Sequence, residues 1–104
     1  MSYRIHITRT AERDMDAAAD YIEFSLMNPA AADHLFDQIE ERLSPLSTNP
    51  KIHPVVDDPV LHAWGIRFVV VNNYLAFYTI DESKETVHIV RFLSCRRNWR
   101  HILK

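Results

Sequence analysis

The sequence predicts an α+β fold in which an antiparallel β-sheet packs against an antiparallel helical hairpin. Two observations lead to this prediction. Apolar residues recur at spacings of three and four between residues 11 and 46, which is the period of an amphipathic helix. Residues 66 to 93 instead contain three β-rich runs with short polar segments between them. The predicted order is strand, helix, helix, strand, strand, strand and a short C-terminal helix, in one domain that spans residues 1 to 104.

The N-terminal part of the chain predicts a strand followed by a helix. Residues 3 to 7 alternate between apolar and polar side chains, which predicts a short strand with Tyr3, Ile5 and Ile7 facing inward. Residues 11 to 26 carry one apolar stripe and form the first predicted helix. Either Thr8 or Thr10 can cap it.

The second predicted helix covers residues 30 to 46. Asn28 is a good N-cap, and Pro29 is tolerated at the first position of a helix. So short a connection makes the two helices antiparallel neighbours. Four prolines lie between residues 45 and 59, and proline disfavours both a continued helix and a central strand. We therefore expect residues 48 to 65 to be a long connecting loop.

The three C-terminal strands are predicted at residues 66–71, 74–80 and 86–93. Asn72 and Asn73 separate the first two runs, and Asn tolerates the positive φ that a type I′ hairpin turn requires. Little of this segment alternates cleanly, which predicts strands covered on part of both faces. The turn fixes a register in which Val71 lies opposite Tyr74, Val69 opposite Ala76, and Arg67 opposite Tyr78.

Charge is distributed unevenly along the chain, although the net charge is only −2. Residues 9 to 48 contain nine acids and three arginines, a net charge of −6. Residues 91 to 104 contain five basic residues and no acid, with Trp99 among them. Such asymmetry indicates a surface for an acidic partner.

Composition also limits the classes of function. One cysteine excludes an intrachain disulfide and fits a reducing cytoplasm. No apolar run reaches the length of a transmembrane helix, and the N-terminus lacks a signal-peptide core, so no membrane role is predicted. Gly65 is the only glycine, which excludes a glycine-rich phosphate loop. The loop containing His53, Asp57, Asp58 and His62 lacks the spacing of a metal site, so we predict no metal and no cofactor.

Several segments together resemble the RelE/ParE toxins of bacterial type II toxin–antitoxin systems, also called plasmid stabilisation proteins. No single motif is specific, but the ordered set covers nearly the whole chain. The matching segments are Tyr3-Arg4-Ile5, Ala11 through Ile22, Asn28-Pro29-Ala30-Ala31-Ala32 with the second helix, Tyr74-Leu75-Ala76-Phe77-Tyr78, Val90-Arg91-Phe92-Leu93 and Arg96-Arg97-Asn98-Trp99.

The resemblance implies a cytoplasmic toxin held in a hetero-oligomer with a cognate antitoxin. RelE-like members cut messenger RNA on the ribosome, and ParE-like members poison DNA gyrase. The RelE ribonucleases usually have an arginine after the tyrosine that opens the second hairpin strand, where this chain has Leu75. Their lysine-rich strand is also missing, since residues 68 to 71 carry no cation. The sequence therefore favours a gyrase poison over a ribonuclease, with a non-toxic antitoxin binder as a third alternative.

Each candidate site residue has a functional and a structural interpretation. A metal-free ribonuclease would use a base, an acid and cations, for which the candidates are Arg67, Tyr78, Arg91, Arg97 and His101. A gyrase-binding surface would use Arg96, Arg97, Trp99 and Arg100. Structurally, Arg67 would bond an acid of the helical hairpin and Arg91 would form an ion pair. Trp99 would dock on the core, and Cys95 would be a thiol without a catalytic role.

Overall fold

A four-stranded sheet carries the helical hairpin on one face in the computed structural model, which describes residues 2–104. The strands are β1 (Arg4–Ile7), β2 (Arg67–Val71), β3 (Tyr74–Asp81) and β4 (Thr86–Ser94). The helices are α1 (Arg9–Asp20), α2 (Pro29–Leu43), α3 (Pro59–Ala63) and α4 (Trp99–Leu103). A π-helical turn at Tyr21–Ser25 extends α1, and a 3₁₀ turn at Ser44–Ser47 extends α2.

The sheet is mixed, with the strand order β1-β4-β3-β2. Strands β2, β3 and β4 are consecutive antiparallel neighbours, as predicted, and the predicted register of β2 on β3 is confirmed at all three pairs. The prediction of a wholly antiparallel sheet is wrong at β1, which pairs with β4 in parallel. A parallel pair requires a long connection between its strands, and everything between β1 and β4 along the chain supplies it.

Side-chain caps fix where the two long helices begin. Thr8, rather than Thr10, caps α1, since its Oγ1 accepts a hydrogen bond from the Ala11 N–H at 3.2 Å. The same hydroxyl donates to the Ile89 carbonyl of β4 at 2.8 Å, so the cap also joins α1 to the sheet. Asn28 Oδ1 accepts from the Ala31 N–H at 3.1 Å at the start of α2, which confirms the predicted cap.

The sheet has a hydrophobic core on each face. On one face the stripes of α1 and α2 pack against β2, β3 and β4, with Leu35, Tyr78 and Ile89 essentially without solvent exposure. On the other face a smaller core includes Phe77 and Leu93, and residues of α3 and α4 cover it. The strands are therefore buried on part of both faces, which explains why their sequence does not alternate cleanly.

Part of the predicted loop is helical. Asp58 caps α3, because its Oδ1 accepts from the N–H groups of Val60 at 3.0 Å and Leu61 at 3.2 Å. An aspartate followed by proline is a helix start signal, and the sequence analysis treated Pro59 only as a helix breaker. Within residues 2–104 no helix has both the length and the apolar character that crossing a lipid bilayer requires.

The hairpin turn differs from the predicted geometry. Asn72 has a φ of 54°, but Asn73 does not have the positive φ that a type I′ turn needs. Contacts from outside the hairpin hold both residues. The Asn72 amide bonds the side chain of Gln38 on α2, and the Asn73 carbonyl accepts from the Cys95 N–H at 2.8 Å.

Candidate functional site

Tyr78 is a buried structural residue. It has no solvent exposure, and its hydroxyl donates a hydrogen bond to the Pro50 carbonyl at 2.8 Å. Burial raises the pKa of this hydroxyl, so it remains a neutral donor. Tyr78 therefore holds the chain between α2 and α3 on the sheet and does not reach a substrate. We call residues 48–58 of this connection the proline-rich segment.

Arg67 binds the same proline-rich segment. Its Nη1 donates to the carbonyl of His53 at 2.7 Å and to that of Lys51 at 3.4 Å. The prediction that Arg67 bonds an acid of the helical hairpin is wrong. Strand β2 lies at one edge of the sheet, and the proline-rich segment passes beside it and pairs Val55 with Arg67. Arg67 and Tyr78 are register neighbours as predicted, yet each has its own carbonyl partner.

Arg91 forms the structural ion pair that the sequence analysis predicted. Its Nε donates to Asp14 Oδ2 at 2.7 Å and its Nη2 to Asp14 Oδ1 at 3.1 Å. Asp14 Oδ2 also accepts from the Phe92 N–H at 3.0 Å. The side chains are 26% and 15% exposed, so the pair is partly shielded from water. A two-point guanidinium–carboxylate contact of this kind fixes orientation as well as charge.

The C-terminal segment is docked on the smaller core by Trp99. The Trp99 ring lies 5.4 Å from the Phe77 ring, centroid to centroid, which confirms the docked arrangement. The Arg100 guanidinium lies 4.2 Å from the Trp99 ring centroid, in cation–π geometry. Lys104 Nζ lies 2.9 Å from Asp58 Oδ2 and so ties the end of the chain to the start of α3.

Four exposed basic side chains of this segment form what we call the tail surface: Arg96, Arg97, Arg100 and His101. Arg96 and Arg97 lie in the turn between β4 and α4, and the other two lie on α4. Cys95, next to them, is exposed and free. Two ribonuclease candidates, Arg97 and His101, thus remain accessible, whereas Tyr78 is sealed in the core.

A second surface was missed by the sequence analysis. An apolar groove of about 480 Å³ runs between β1, α1 and α2, and we call it the hairpin groove. Ile7 and Phe36 are 37% and 43% exposed, although their positions predict core packing. The sequence thus contains more apolar residues at predicted core positions than the core buries, and this excess could have indicated the groove. The groove is lined by Ile5, Ile7, Glu12, Met15, Phe36, Ile39, Glu40, Leu43 and Ser44.

A family model described as the ParE toxin of the type II toxin–antitoxin system, parDE, matches residues 5–99. The chain belongs to the ParE toxin family. No curated protein sequence is similar enough to count as a match.

Two solved structures confirm the ParE-type fold. A chain from the chromosomal ParDE toxin–antitoxin system of P. aeruginosa is 22% identical with a TM-score of 0.71, and the match covers 89% of this chain and 96% of that one. A chain from the RelBE2 toxin–antitoxin complex of Mycobacterium tuberculosis is 21% identical with a TM-score of 0.61. The match covers 90% of this chain and 99% of that one.

The contact between Asp14 and Arg91 predicts a measurable coupling in this ParE-family chain. Asp14→Ala should lower the free energy of unfolding by about 1.5–3 kcal/mol, because Arg91 and the Phe92 N–H lose a charged acceptor. Asp16→Ala, two residues along α1 and exposed, should change it by less than about 0.5 kcal/mol. A double-mutant cycle with Arg91→Met, followed by urea unfolding, measures the coupling. Additive effects would contradict the pair.

The contact between Asp58 and Lys104 predicts a pH-dependent contribution to stability. The hydrogen bond from Lys104 is the main cause that lowers the pKa of the Asp58 carboxyl; burial opposes it, and the backbone N–H groups of Leu61 and Val60 support it. A lowered pKa stabilises the fold above the ordinary aspartate value of about 3.9, and the contribution disappears as the pH falls through the lowered value.

Asp58→Asn separates charge from capping, since asparagine caps helices as well as aspartate does. Wild type should be more stable than this variant at neutral pH, and the difference should shrink as the pH falls below about 4. Urea unfolding at a series of pH values measures it. The exposed Asp57→Asn is the matched control, and an equal pH profile for both variants would contradict the role of Asp58.

Proposed function

We propose that this ParE-family toxin inhibits growth by binding DNA gyrase through the tail surface, and that a cognate antitoxin neutralises it by occupying the hairpin groove. The choice of target rests on one observation. The three strand residues that were candidates for ribonuclease catalysis are each held by a contact within the fold. Tyr78, Arg67 and Arg91 all have structural partners.

Ribonuclease chemistry without a metal needs positioned groups that reach the scissile phosphate. Tyr78 is buried and donates to a backbone carbonyl, so it can neither accept nor deliver a proton at a substrate. The charge of Arg91 is neutralised by Asp14, and Arg67 donates to carbonyls of the proline-rich segment. Leu75 is buried where the RelE-like ribonucleases have an arginine. These contacts support a binding function over RNA cleavage.

The tail surface has the properties of a recognition surface. Its arginines project from a segment that two anchors hold in place, Trp99 on the smaller core and Lys104 on Asp58. Arg100 lies over the Trp99 ring, which restricts its side chain before a partner arrives. Preordered arginines lose less conformational entropy on binding and steer an acidic partner toward the surface. A gyrase-directed toxin would act in the cytoplasm.

The hairpin groove fits an amphipathic antitoxin segment. Its floor is apolar, and Glu12 and Glu40 lie among the lining residues. An antitoxin helix with apolar anchors and basic flanking residues would bury the exposed parts of Ile7 and Phe36 and pair with these acids. Both structural relatives come from toxin–antitoxin systems. We therefore assign the groove to the antitoxin and the tail surface to the target.

Reversing charge on the tail surface tests the target. Arg97→Glu together with Arg100→Glu should abolish toxicity and weaken gyrase binding by about 30-fold or more, the loss expected at an interface hot spot. Arg13→Glu, an exposed arginine on α1, is the matched control and should remain toxic. Gyrase supercoiling and cleavage-complex assays, run beside a ribosome-dependent RNA cleavage assay, provide the measurement.

The outcomes of that experiment separate the alternatives. Codon-positioned cuts in messenger RNA with unimpaired gyrase would identify a RelE-like ribonuclease. An absence of any toxicity when wild type is expressed alone would indicate a family member that only binds its antitoxin. Circular dichroism of the double variant is needed, because Arg100 also contributes a cation–π contact worth about 0.5–1 kcal/mol at an exposed site.

A charge in the hairpin groove tests antitoxin neutralisation independently of the target. Phe36→Asp should weaken binding of the antitoxin from the native operon by about 30-fold or more, since it removes an aromatic anchor that the bound antitoxin would bury. Toxicity itself should persist and escape neutralisation on coexpression. Ile52→Asp is the control for adding a surface acid, since Ile52 lies outside the groove and is also exposed, at 57% against 43% for Phe36. Unchanged copurification of Phe36→Asp with the antitoxin would refute the assignment.

A further inference from the structure

Two histidines from opposite ends of the sequence meet on the sheet. The parallel pairing of β1 with β4 places His6 directly beside His88. Their Nδ1 atoms lie 2.9 Å apart, and the two rings meet edge to face at 87° with centroids 5.1 Å apart. His6 is exposed, so the pair is open to solvent. Neither the proposed target surface nor the hairpin groove includes these residues.

The short contact brings the two Nδ1 atoms within hydrogen-bond distance. A hydrogen bond between two Nδ1 atoms requires that one ring carry the proton there while the other presents its lone pair. Shifting that proton to Nε2 of its own ring, a change of tautomer, would leave a free lone pair on both Nδ1 atoms. A modest rotation of the two rings would then turn both lone pairs toward one point beside the N–N axis. A neutral imidazole is the commonest side-chain ligand for transition metals.

The separation of the nitrogens selects among metals. The usual imidazole bond length for zinc is about 2.0–2.1 Å. Two nitrogens 2.9 Å apart would form an N–metal–N angle of about 90° with a metal at that distance from each. Tetrahedral zinc would need nitrogens about 3.3 Å apart at the same bond length. An angle near 90° is instead the angle between adjacent ligands in square-planar and tetragonal sites, which Cu²⁺ and Ni²⁺ prefer.

We propose that His6 and His88 form a two-histidine chelate for a divalent transition metal, with Cu²⁺ preferred over Ni²⁺ and Zn²⁺. No group of three or more metal-ligating side chains forms within residues 2–104, so water would fill the other coordination positions. Affinity at a given nitrogen site also follows the order in which Cu²⁺ exceeds Ni²⁺ and Zn²⁺. The geometry and the general order of affinity therefore agree.

The charged neighbours of the pair include both signs. Asp81 ends β3 beside β4, and Thr79, two residues before it, is the register partner of His88. The pKa of the Asp81 carboxyl is lowered mainly by the Ser83 hydroxyl, with smaller contributions from the backbone N–H and the charge of Lys84, and burial opposes them. On the other side, Arg4 precedes His6 by two residues on the same face of β1. The carboxylate favours a cation and the arginine partly offsets it.

A bound metal would join the two strands that belong to the opposite ends of the chain. Because the chelate exists only when β1 is paired with β4, metal binds the folded state and stabilises it by mass action. Loss of a partner that only orients a metal ligand already costs about 10–100-fold in affinity, so loss of one of the two ligands should cost at least that.

Titration of the untagged full chain with Cu²⁺ alone tests the proposal. Calorimetry in the presence of a weak competing ligand should give one equivalent per chain, and electron paramagnetic resonance should show two nitrogen ligands. His6→Ala and His88→Ala should each weaken this binding by about tenfold or more. His34→Ala, which removes an exposed histidine from α2, should bind as wild type does.

Binding that survives either substitution, or that falls equally in His34→Ala, would overturn the site. Tighter binding of Zn²⁺ than of Cu²⁺ would overturn the assigned geometry. Since a substitution can disturb β1, a measurement on wild type is also required. The ring ¹⁵N signals of His6 and His88 should shift together when diamagnetic Zn²⁺ is added at saturating concentration, and a shift of only one ring would refute a chelate.

Discussion

The carboxylate of Asp14 fixes the helical hairpin on the sheet, and much of the structure depends on that contact. The pairing of β3 with β4 shifts register between Phe77 and Tyr78, where Phe77 pairs with Arg91 and Tyr78 with Ile89. Val90 is left as an extra residue, which is the arrangement of a β-bulge. Asp14 binds the Arg91 side chain and the Phe92 N–H on one side of this bulge. The cap residue Thr8 binds the Ile89 carbonyl on the other side.

The position of α1 follows from these two contacts, and the apolar packing of the larger core follows from α1. A charged pair that also satisfies a backbone donor at a bulge couples the direction of the helix to the course of the strand. The ion pair with Asp14 also neutralises the charge of Arg91. Arg67 and Tyr78 likewise donate hydrogen bonds to backbone carbonyls of the proline-rich segment. Arg67 and Arg91 thus have structural roles, whereas the arginines of the tail surface are exposed.

The sequence predicted what depends on local pattern and missed what depends on distant partners. The helical stripes, the three C-terminal strands and the docked Trp99 follow from periodicity and composition, and the structure confirms them. The predicted partner of Arg67 was a carboxylate, but the observed partner is a backbone carbonyl of a loop. Every residue has such a carbonyl, so the sequence does not indicate which one a side chain will bind. The parallel placement of β1 and the meeting of His6 with His88 depend on residues 82 positions apart in the sequence. Nothing within either segment specifies the other.

The parallel pairing of β1 with β4 also has a consequence for how the toxin is made. A ribosome synthesises β1 first, but β1 can find its hydrogen-bonding partner only after β4 has left the exit tunnel. Until then the newly made helical hairpin has no completed sheet to cover, and its apolar stripes remain accessible. Contacts between such distant residues also slow folding, because the long loop between them must close first. A nascent chain therefore cannot complete the sheet, or the surfaces built on it, until β4 has emerged.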